Sequence, residues 1–454
     1  MNPMKKLTHA LMIAGMMSVS GSVLAEGPKR GLLEIYKQAQ VNDSTWAAAR
    51  SSHAATQEKL TQGRALLLPT VTLEGNANHS DTNTKYLGSG SLSGGKQKFD
   101  GYDYSFNINQ PIFRWQNNIQ YQEAKVQVAQ ADHVLNAAKL DLMVRTSEAY
   151  FDVLLAQDKI DLIIAQKAAT TRQLEQAKAN FEVGTATITD VHEAQSRFDL
   201  LVAQEIAAVN ELEVKKRAIQ AIISQMPESL ASAKESLNVT IPQPQEMEGW
   251  VEIAEAQSPQ LFVQQHSLQV ANKEVDRANA GHYPTLDAVA SYAETHSNGG
   301  VNGFGTDQDN FTVGLQLKVP IFEGFATSSK AREAVANQKK ARDDLEQTRR
   351  SVDLQTRQAY LNVASAVAQV KAYEQALTSS QSSLDSTNLG YEVGVRTSVD
   401  VLNAQQQLYS AKRDLLQARY TWLLSVIKLK AAAGVLTEKD LEETNTSLQL
   451  SDAQ

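Results

Sequence analysis

The sequence predicts a mainly α-helical chain with a smaller β component, organised as two structural repeats. Three observations lead to this fold class. Motifs of the first half return in the same order in the second half, long segments carry apolar residues at heptad spacing, and shorter regions alternate between apolar and polar residues. Each repeat is therefore expected to combine one β-hairpin with long coiled-coil helices.

The internal repeat has a period of about 210 residues. The motif that starts at Phe181, Phe-Glu-Val-Gly, returns as Tyr-Glu-Val-Gly at Tyr391, and Pro-Ile-Phe at Pro111 returns at Pro320. This period is too long for a solenoid, so each half is expected to be a complete unit. The predicted divisions are a first repeat at 26–225, a segment between the repeats at 226–246, a second repeat at 247–436 and an acidic, irregular C-terminal tail at 437–454.

Residues 1–25 have the pattern of a secretory signal peptide. Lys5 and Lys6 precede a short apolar run, and small residues lead to Ala25, after which cleavage is expected. The run is too short to anchor the chain in a membrane, and no apolar run of about 18 residues follows it. The sequence therefore predicts an exported protein that has no transmembrane helix.

Each repeat is expected to contain the same order of elements. A helix comes first, then a hairpin, then a very long helix that ends near Phe181 or Tyr391, and after a short turn a last helix that ends near 225 or 434. The first helices are placed at 31–67 and 247–281, and the hairpins at 70–110 and 285–319. In the long helices apolar residues step by four and three, which predicts a left-handed coiled coil.

The hairpin segments alternate regularly. Tyr102, Tyr104 and Phe106 interleave with polar residues, and the second hairpin repeats this pattern. Such strands fit a membrane β-barrel, with lipid outside and water inside, and equally a soluble sheet with one buried face. Because about eight strands are the minimum for a barrel, a barrel would need two copies with eight strands or three with twelve.

Composition argues against several classes of protein. The 454 residues contain no cysteine, which excludes disulfides, thiol chemistry and a lipid-anchored cysteine. The formal net charge of −8 and the lack of a basic stripe argue against a nucleic-acid partner. The histidines are scattered and no Gly-x-Ser-x-Gly motif is present, so no enzyme activity, cofactor or metal site is expected.

The repeated motifs resemble those of the TolC family of outer-membrane efflux proteins. The Pro-Ile-Phe junctions at Pro111 and Pro320, and the segments that start at Phe181 and Gly390, carry the resemblance over nearly the whole chain after the signal peptide. It is closer to the branch typified by TolC than to the lipid-anchored branch, because the acylated cysteine is absent. One departure is Asp43, which stands where the family usually has proline.

The resemblance implies a homotrimer with one 12-stranded outer-membrane barrel and a 12-helix tunnel through the periplasm. Segment 226–246 and the acidic tail would form an equatorial belt around the tunnel. The expected function is passive transport as the exit duct of tripartite efflux pumps or type I protein secretion. The implied partners are a periplasmic adaptor (membrane fusion) protein, an inner-membrane transporter and outer-membrane lipid.

The resemblance also implies roles for the turns between the long helices. The turns would be periplasmic tips that contact the adaptor, through Val183, Gly184, Thr185, Val393, Gly394 and Val395. The entrance gate would be formed by Thr189, Asp190, Tyr391, Arg396, Asp400 and Asn403. Tyr391 and Arg396 would bond to Thr189 and Asp190 on neighbouring helices. The family has a second entrance aspartate where this chain has Asn403.

Four of these gate residues also have a plainer interpretation. Asp190 and Asp400 follow threonines in Thr-x-x-Asp motifs, which are typical capping boxes at helix starts. Arg396 would be a solvated turn residue and Tyr391 an apolar contact at a helix end. For the whole protein, the alternative is a soluble periplasmic coiled-coil scaffold or adaptor, which would share the signal peptide and the heptads but lack the alternating hairpin strands.

Overall fold

The computed structural model describes residues 30–85, 87, 95–227, 230–231, 237–446 and 448. The predicted signal peptide at 1–25 and the end of the predicted tail lie outside the described residues. Within the described part, no helix is both long enough and apolar enough to cross a membrane.

The two repeats contain the same α-helices and strands in the same order, and the second adds one 3₁₀ turn. The first repeat comprises α1 Leu32–Asn42, α2 Ser44–Ala65, β1 Thr70–Thr84, β2 Gly95–Phe113, α3 Trp115–Glu182 and α4 Ile188–Ile223. The second comprises α5 Met247–Gln257, α6 Pro259–Asn279, a 3₁₀ turn Ala280–His282, β3 Thr285–Ser297, β4 Thr306–Lys318, α7 Ala326–Glu392 and α8 Ser398–Ala432. Helix α9, Glu438–Thr446, follows. Because α3 and α7 have 68 and 67 residues, each is about 100 Å long.

The prediction of one continuous helix at 31–67 and another at 247–281 is wrong, because each region forms two helices. Asp43 has an extended backbone and caps α2, accepting the Trp46 N–H at 2.7 Å. Arg145 on α3 holds the same carboxylate with bonds of 3.1 and 3.2 Å. In the second repeat Ser258 is extended because it precedes Pro259, which disfavours helical dihedrals at the residue before it.

The four strands form one antiparallel sheet in the order β1-β2-β3-β4, and the β2–β3 pairing joins the two repeats. The register places an apolar row across all four strands at Leu73, Phe106, Tyr292 and Phe311. These side chains are exposed in the single chain, with Leu73 75% and Phe311 71% accessible. Strands β1 and β4 are the two edges, and among the described residues of one chain no other element covers these edges or the apolar face.

The helices bury a core at the level of segment 226–246. Tyr150 and Phe151 of α3 are fully buried there, and the Tyr150 hydroxyl donates to the backbone carbonyl of Ala231 at 2.9 Å. The indole N–H of Trp422 on α8 donates to the Thr240 carbonyl at 3.2 Å. The described part of the segment is irregular and lies against the helices, where it ties the two repeats together.

The C-terminal tail was predicted to be irregular, and helix α9 corrects that prediction. Its start is fixed by Thr437, whose backbone N–H and hydroxyl both donate to the Asp440 carboxylate, at 2.6 and 2.7 Å. Lys430 on α8 pairs with the same carboxylate. Leu441 is completely buried in the core, so capping and apolar burial together order this stretch.

Candidate functional site at the helix tips

The two turns that join the long helices have the same backbone. Gly184 and Gly394 have φ angles of +78° and +80°, in the left-handed region that glycine adopts without steric cost. In the first turn the Thr185 N–H donates to the Asn180 carbonyl, and in the second the Val395 N–H donates to the Gly390 carbonyl, both at 2.8 Å. These bonds satisfy carbonyls that the helix end would leave unpaired.

The residues predicted to contact an adaptor all lie on the surface of these turns. The three valines are the large apolar members, and Val183, Val393 and Val395 are 73%, 66% and 76% accessible. A Cβ added to either turn glycine would meet no heavy atom within 4 Å. Each tip is therefore a small, protruding surface with exposed apolar side chains and open space beside its glycine, which suits contact with another protein.

The capping-box interpretation is confirmed at both tips. The backbone N–H of Asp190 donates to the Thr187 hydroxyl at 3.3 Å, and the Thr187 N–H donates back to the carboxylate at 2.9 Å. Asp400 and Thr397 form the same reciprocal pair, with distances of 3.2 and 2.9 Å. The two carboxylates thus fix where α4 and α8 begin.

Asp400 carries more than a cap. The backbone N–H of Thr397 and then its hydroxyl hold the pKa of the Asp400 carboxyl below its usual range, and the nearby Arg396 charge adds to this. The carboxylate is therefore ionised at neutral pH.

Tyr391 makes two contacts at the second tip. Its ring packs against an apolar cluster on α7 and α8 that includes Leu384 and Val401, as the plainer interpretation predicts. Its hydroxyl accepts a hydrogen bond from the Asn180 amide of α3 at 3.1 Å. Asn180 was not identified from the sequence, and it joins the two tips within one chain.

The predicted gate links do not form within the described part of a single chain. Among the described residues, no hydrogen bond joins Tyr391 or Arg396 to Thr189 or Asp190. Arg396 is exposed, and its aliphatic part lies over Gly390, where an added Cβ would come within 2.7 Å of the arginine Cγ. The predicted links therefore remain a prediction for contacts between copies.

Asn403 has a neighbour that sequence reasoning missed. Arg197 of α4 donates to the Asn403 side-chain carbonyl at 3.2 Å and also to the amide oxygen of Gln406. In the sequence, Arg197 stands four residues after Glu193, which is the ordinary spacing of a surface ion pair, so nothing there indicates a contact with α8.

A family comparison matches both repeats. The model described as "Outer membrane efflux protein" covers residues 35–225 and 250–435, which include every helix tip and both hairpins. The chain belongs to the outer membrane efflux protein family. This family consists of transport channels rather than enzymes, and its members are outer-membrane proteins with a long periplasmic portion.

Similar members of the outer membrane efflux protein family cover almost the whole chain. Outer membrane protein TolC of Vibrio cholerae is 34% identical over 98% of this chain and 99% of its own length. The alkaline protease secretion protein AprF of Pseudomonas aeruginosa is 33% identical over 91% and 86%. The crystal structure of VceC from Vibrio cholerae has the same fold, with a TM-score of 0.75, 18% identity, and 89% and 96% coverage.

Proposed function

We propose that three copies of this chain form a passive exit duct through the periplasm and the outer membrane. The observation that carries the proposal is the sheet. Its edges β1 and β4 have no partner strand among the residues that the structure describes, and its apolar face is exposed in one chain. Pairing β4 of each copy with β1 of the next removes the edges and gives twelve strands. The apolar face then meets lipid, and the helices continue the duct as a twelve-helix tunnel.

The duct works with partners that supply energy. The exposed valines and glycines of the tips are the contact surface for a periplasmic adaptor, which connects the duct to an inner-membrane transporter. The similarity to AprF, an alkaline protease secretion protein, supports a role in type I protein secretion. Membership of the outer membrane efflux protein family supports a role in tripartite pumps. A water-filled tunnel requires few specific contacts with its cargo, so both roles are compatible with one duct.

The tips also form the gate. Asp400 and Asn403 are three residues apart on α8, so they lie on the same face and would form successive rings at the entrance. Arg396 and Tyr391 of one copy would bond to Thr189 and Asp190 of the next, which keeps the entrance narrow. Opening consists of breaking these bonds when the adaptor docks.

Two measurements test this function. Light scattering of protein purified in mild detergent should give three times the mass of one chain, and planar-bilayer recordings should show a small conductance with a preference for cations. A monomer in detergent would refute the assembly. Recovery of the protein in the soluble periplasmic fraction, without detergent, would instead favour the scaffold alternative.

A further inference from the structure

Arg197 connects two helices that belong to different repeats. Its Nε donates to Glu193 of its own helix at 3.0 Å, which orients the guanidinium. The other two nitrogens reach α8, where they donate to the side-chain oxygens of Asn403 and Gln406. Because these two acceptors are three residues apart on α8, they lie on one face, and the planar fork of the guanidinium contacts both.

We call the contact of Arg197 with Asn403 and Gln406 the Arg197 bridge. It lies at one end of a cleft between α3, α4 and α8. The cleft has a volume of about 320 Å³ and is lined along α8 by residues that include Tyr409 and Arg413. On the tip side, Leu402 packs against Leu174 of α3 and Ala194 of α4. Beyond that apolar contact, the Arg197 bridge holds the first turns of α8 against α4.

We propose that Arg197 is a positioning residue of the entrance, which fastens the first turns of α8 to α4 within each copy. The inference rests on the proposed function, since it takes Asp400 and Asn403 to lie at the entrance. Widening the entrance requires the first turns of α8 to move relative to α4. That movement breaks both bonds of the guanidinium, so the bridge favours the closed arrangement.

This bond is distinct from the gate links proposed between copies. It joins α4 and α8 of one copy, and its acceptors are neutral amides rather than carboxylates. A neutral acceptor gives a weaker bond than an ionised one. The bridge therefore restrains the entrance while leaving it able to open.

The test uses purified trimers in planar bilayers and compares two arginines of the same helix. Arg217 also follows a glutamate by four residues, and it bonds to Glu213 and Gln220 on α4 itself. Arg197→Gln should raise the conductance about two- to ten-fold, the factor that corresponds to the net contribution of one hydrogen bond. Arg217→Gln should leave it unchanged. Arg197→Lys, which keeps the charge but loses the fork, should give an intermediate value.

A second variant tests the bridge in the opposite direction. Asn403→Asp turns the amide acceptor into a carboxylate, which strengthens the bond to Arg197, so conductance should fall below that of the unmodified protein. In the double variant with Arg197→Gln, that decrease should disappear. Thermal dissociation of each trimer, measured in parallel, should remain the same, because the bridge is a local surface contact.

Two results would overturn the inference. One is an equal conductance in Arg197→Gln and Arg217→Gln, and the other is a decrease in Asn403→Asp that persists without Arg197. The combined variant Arg396→Ser with Tyr391→Phe distinguishes failure of the Arg197 inference from failure of the proposed function. If that variant opens the channel while Arg197→Gln does not, only the bridge is refuted. If the protein forms no channel at all, the proposed function fails.

Discussion

The tips of the two repeats have the same backbone and different side chains. Both turns pass through a left-handed glycine and end in a Thr-x-x-Asp capping box, and the φ angles of the glycines differ by only a few degrees. At equivalent positions, however, Asn180 stands opposite Gly390 and Phe181 opposite Tyr391. Local sequence thus fixes the same shape twice, and the differences determine what each tip can bind.

The differences are concentrated at the second tip. Arg396 requires the space that Gly390 leaves, since a Cβ at that position would lie 2.7 Å from the arginine Cγ. The first tip has Ala186 at the position of Arg396 and a longer side chain, Asn180, which reaches across to the Tyr391 hydroxyl. In the proposed gate, the second tip would therefore supply the Arg396 guanidinium and the Tyr391 hydroxyl, and the first tip would supply Thr189 and Asp190.

The largest expected effect comes from bulk at the second tip. In Gly394→Trp, export should be lost while the trimer still reaches the outer membrane, because the indole would occupy the space used by the adaptor and a left-handed non-glycine residue costs about 1–2 kcal/mol. Export of a fluorescent pump substrate and membrane fractionation measure the two effects.

Gly394→Asn is the matched control, since asparagine tolerates left-handed dihedrals and is small. It should retain most of the export. Gly184→Trp then extends the comparison to the first tip, where an equal loss would mean that the adaptor contacts both tips alike. Normal export by Gly394→Trp would contradict the proposed docking contact.

A smaller effect is expected when the second tip is made to resemble the first. Arg396→Ser combined with Tyr391→Phe removes the charge and the hydroxyl, and phenylalanine is the residue that the first tip already has at position 181. Conductance of the isolated channel should rise several-fold, since charge-assisted bonds between copies are lost. The reverse change, Phe181→Tyr, should have no effect, and unchanged conductance in the double variant would count against the gate assignment.

Asp400 allows capping to be separated from charge. Asp400→Asn keeps an oxygen that can accept the Thr397 N–H, whereas Asp400→Ala removes both that acceptor and the charge and leaves only the bond to the Thr397 hydroxyl. Cation selectivity and block by polyvalent cations from the periplasmic side should largely vanish in both variants, and only the alanine variant should also lose stability. If block survives in both, Asp400 acts solely as a helix cap.

The pH dependence of that block follows from the direction of the pKa shift. The Thr397 N–H and hydroxyl lower the pKa of Asp400 in the folded chain, so its contribution to stability is present above the unfolded value of about 3.9 and is lost as the pH falls through the folded value. Block should therefore persist at pH 5 and disappear only below about pH 4. The Asp400→Asn variant should show no such transition.

The sequence predicted the features that depend on local periodicity. Heptad spacing from Ala149 to Ile163 and from Ala359 to Leu377 indicated the long helices, and alternation around Tyr104 indicated the strands, because both patterns come from neighbouring residues. The breaks at Asp43 and Ser258 and the helix after Thr437 were missed, although each carries a local signal. Asp43-Ser44 and Thr437-x-x-Asp440 are capping sequences, and Ser258 precedes a proline.

The contacts around the proposed entrance could not be predicted from the sequence for a different reason. The bonds from Asn180 to Tyr391 and from Arg197 to Asn403 join residues 211 and 206 positions apart. They depend on how the two repeats lie side by side, which no spacing within one repeat specifies. For this reason the sequence indicated only that Asn403 is a neutral amide, and it did not indicate that the Arg197 guanidinium lies beside it.

The Arg197 guanidinium changes the smallest of the expected effects, which is the effect of Asn403→Asp on block by polyvalent cations. From the sequence alone, Asn403→Asp would restore a second ring of carboxylates and strengthen the block by polyvalent cations. With Arg197 at 3.2 Å, each new carboxylate forms an ion pair with its own guanidinium, which cancels most of its charge. Block in Asn403→Asp should therefore exceed that of the unmodified channel only slightly, whereas the double variant with Arg197→Gln should show the full increase. A strong increase in the single variant would mean that the guanidinium leaves Asn403 once three copies assemble, and the entrance would then be set by the second tip alone.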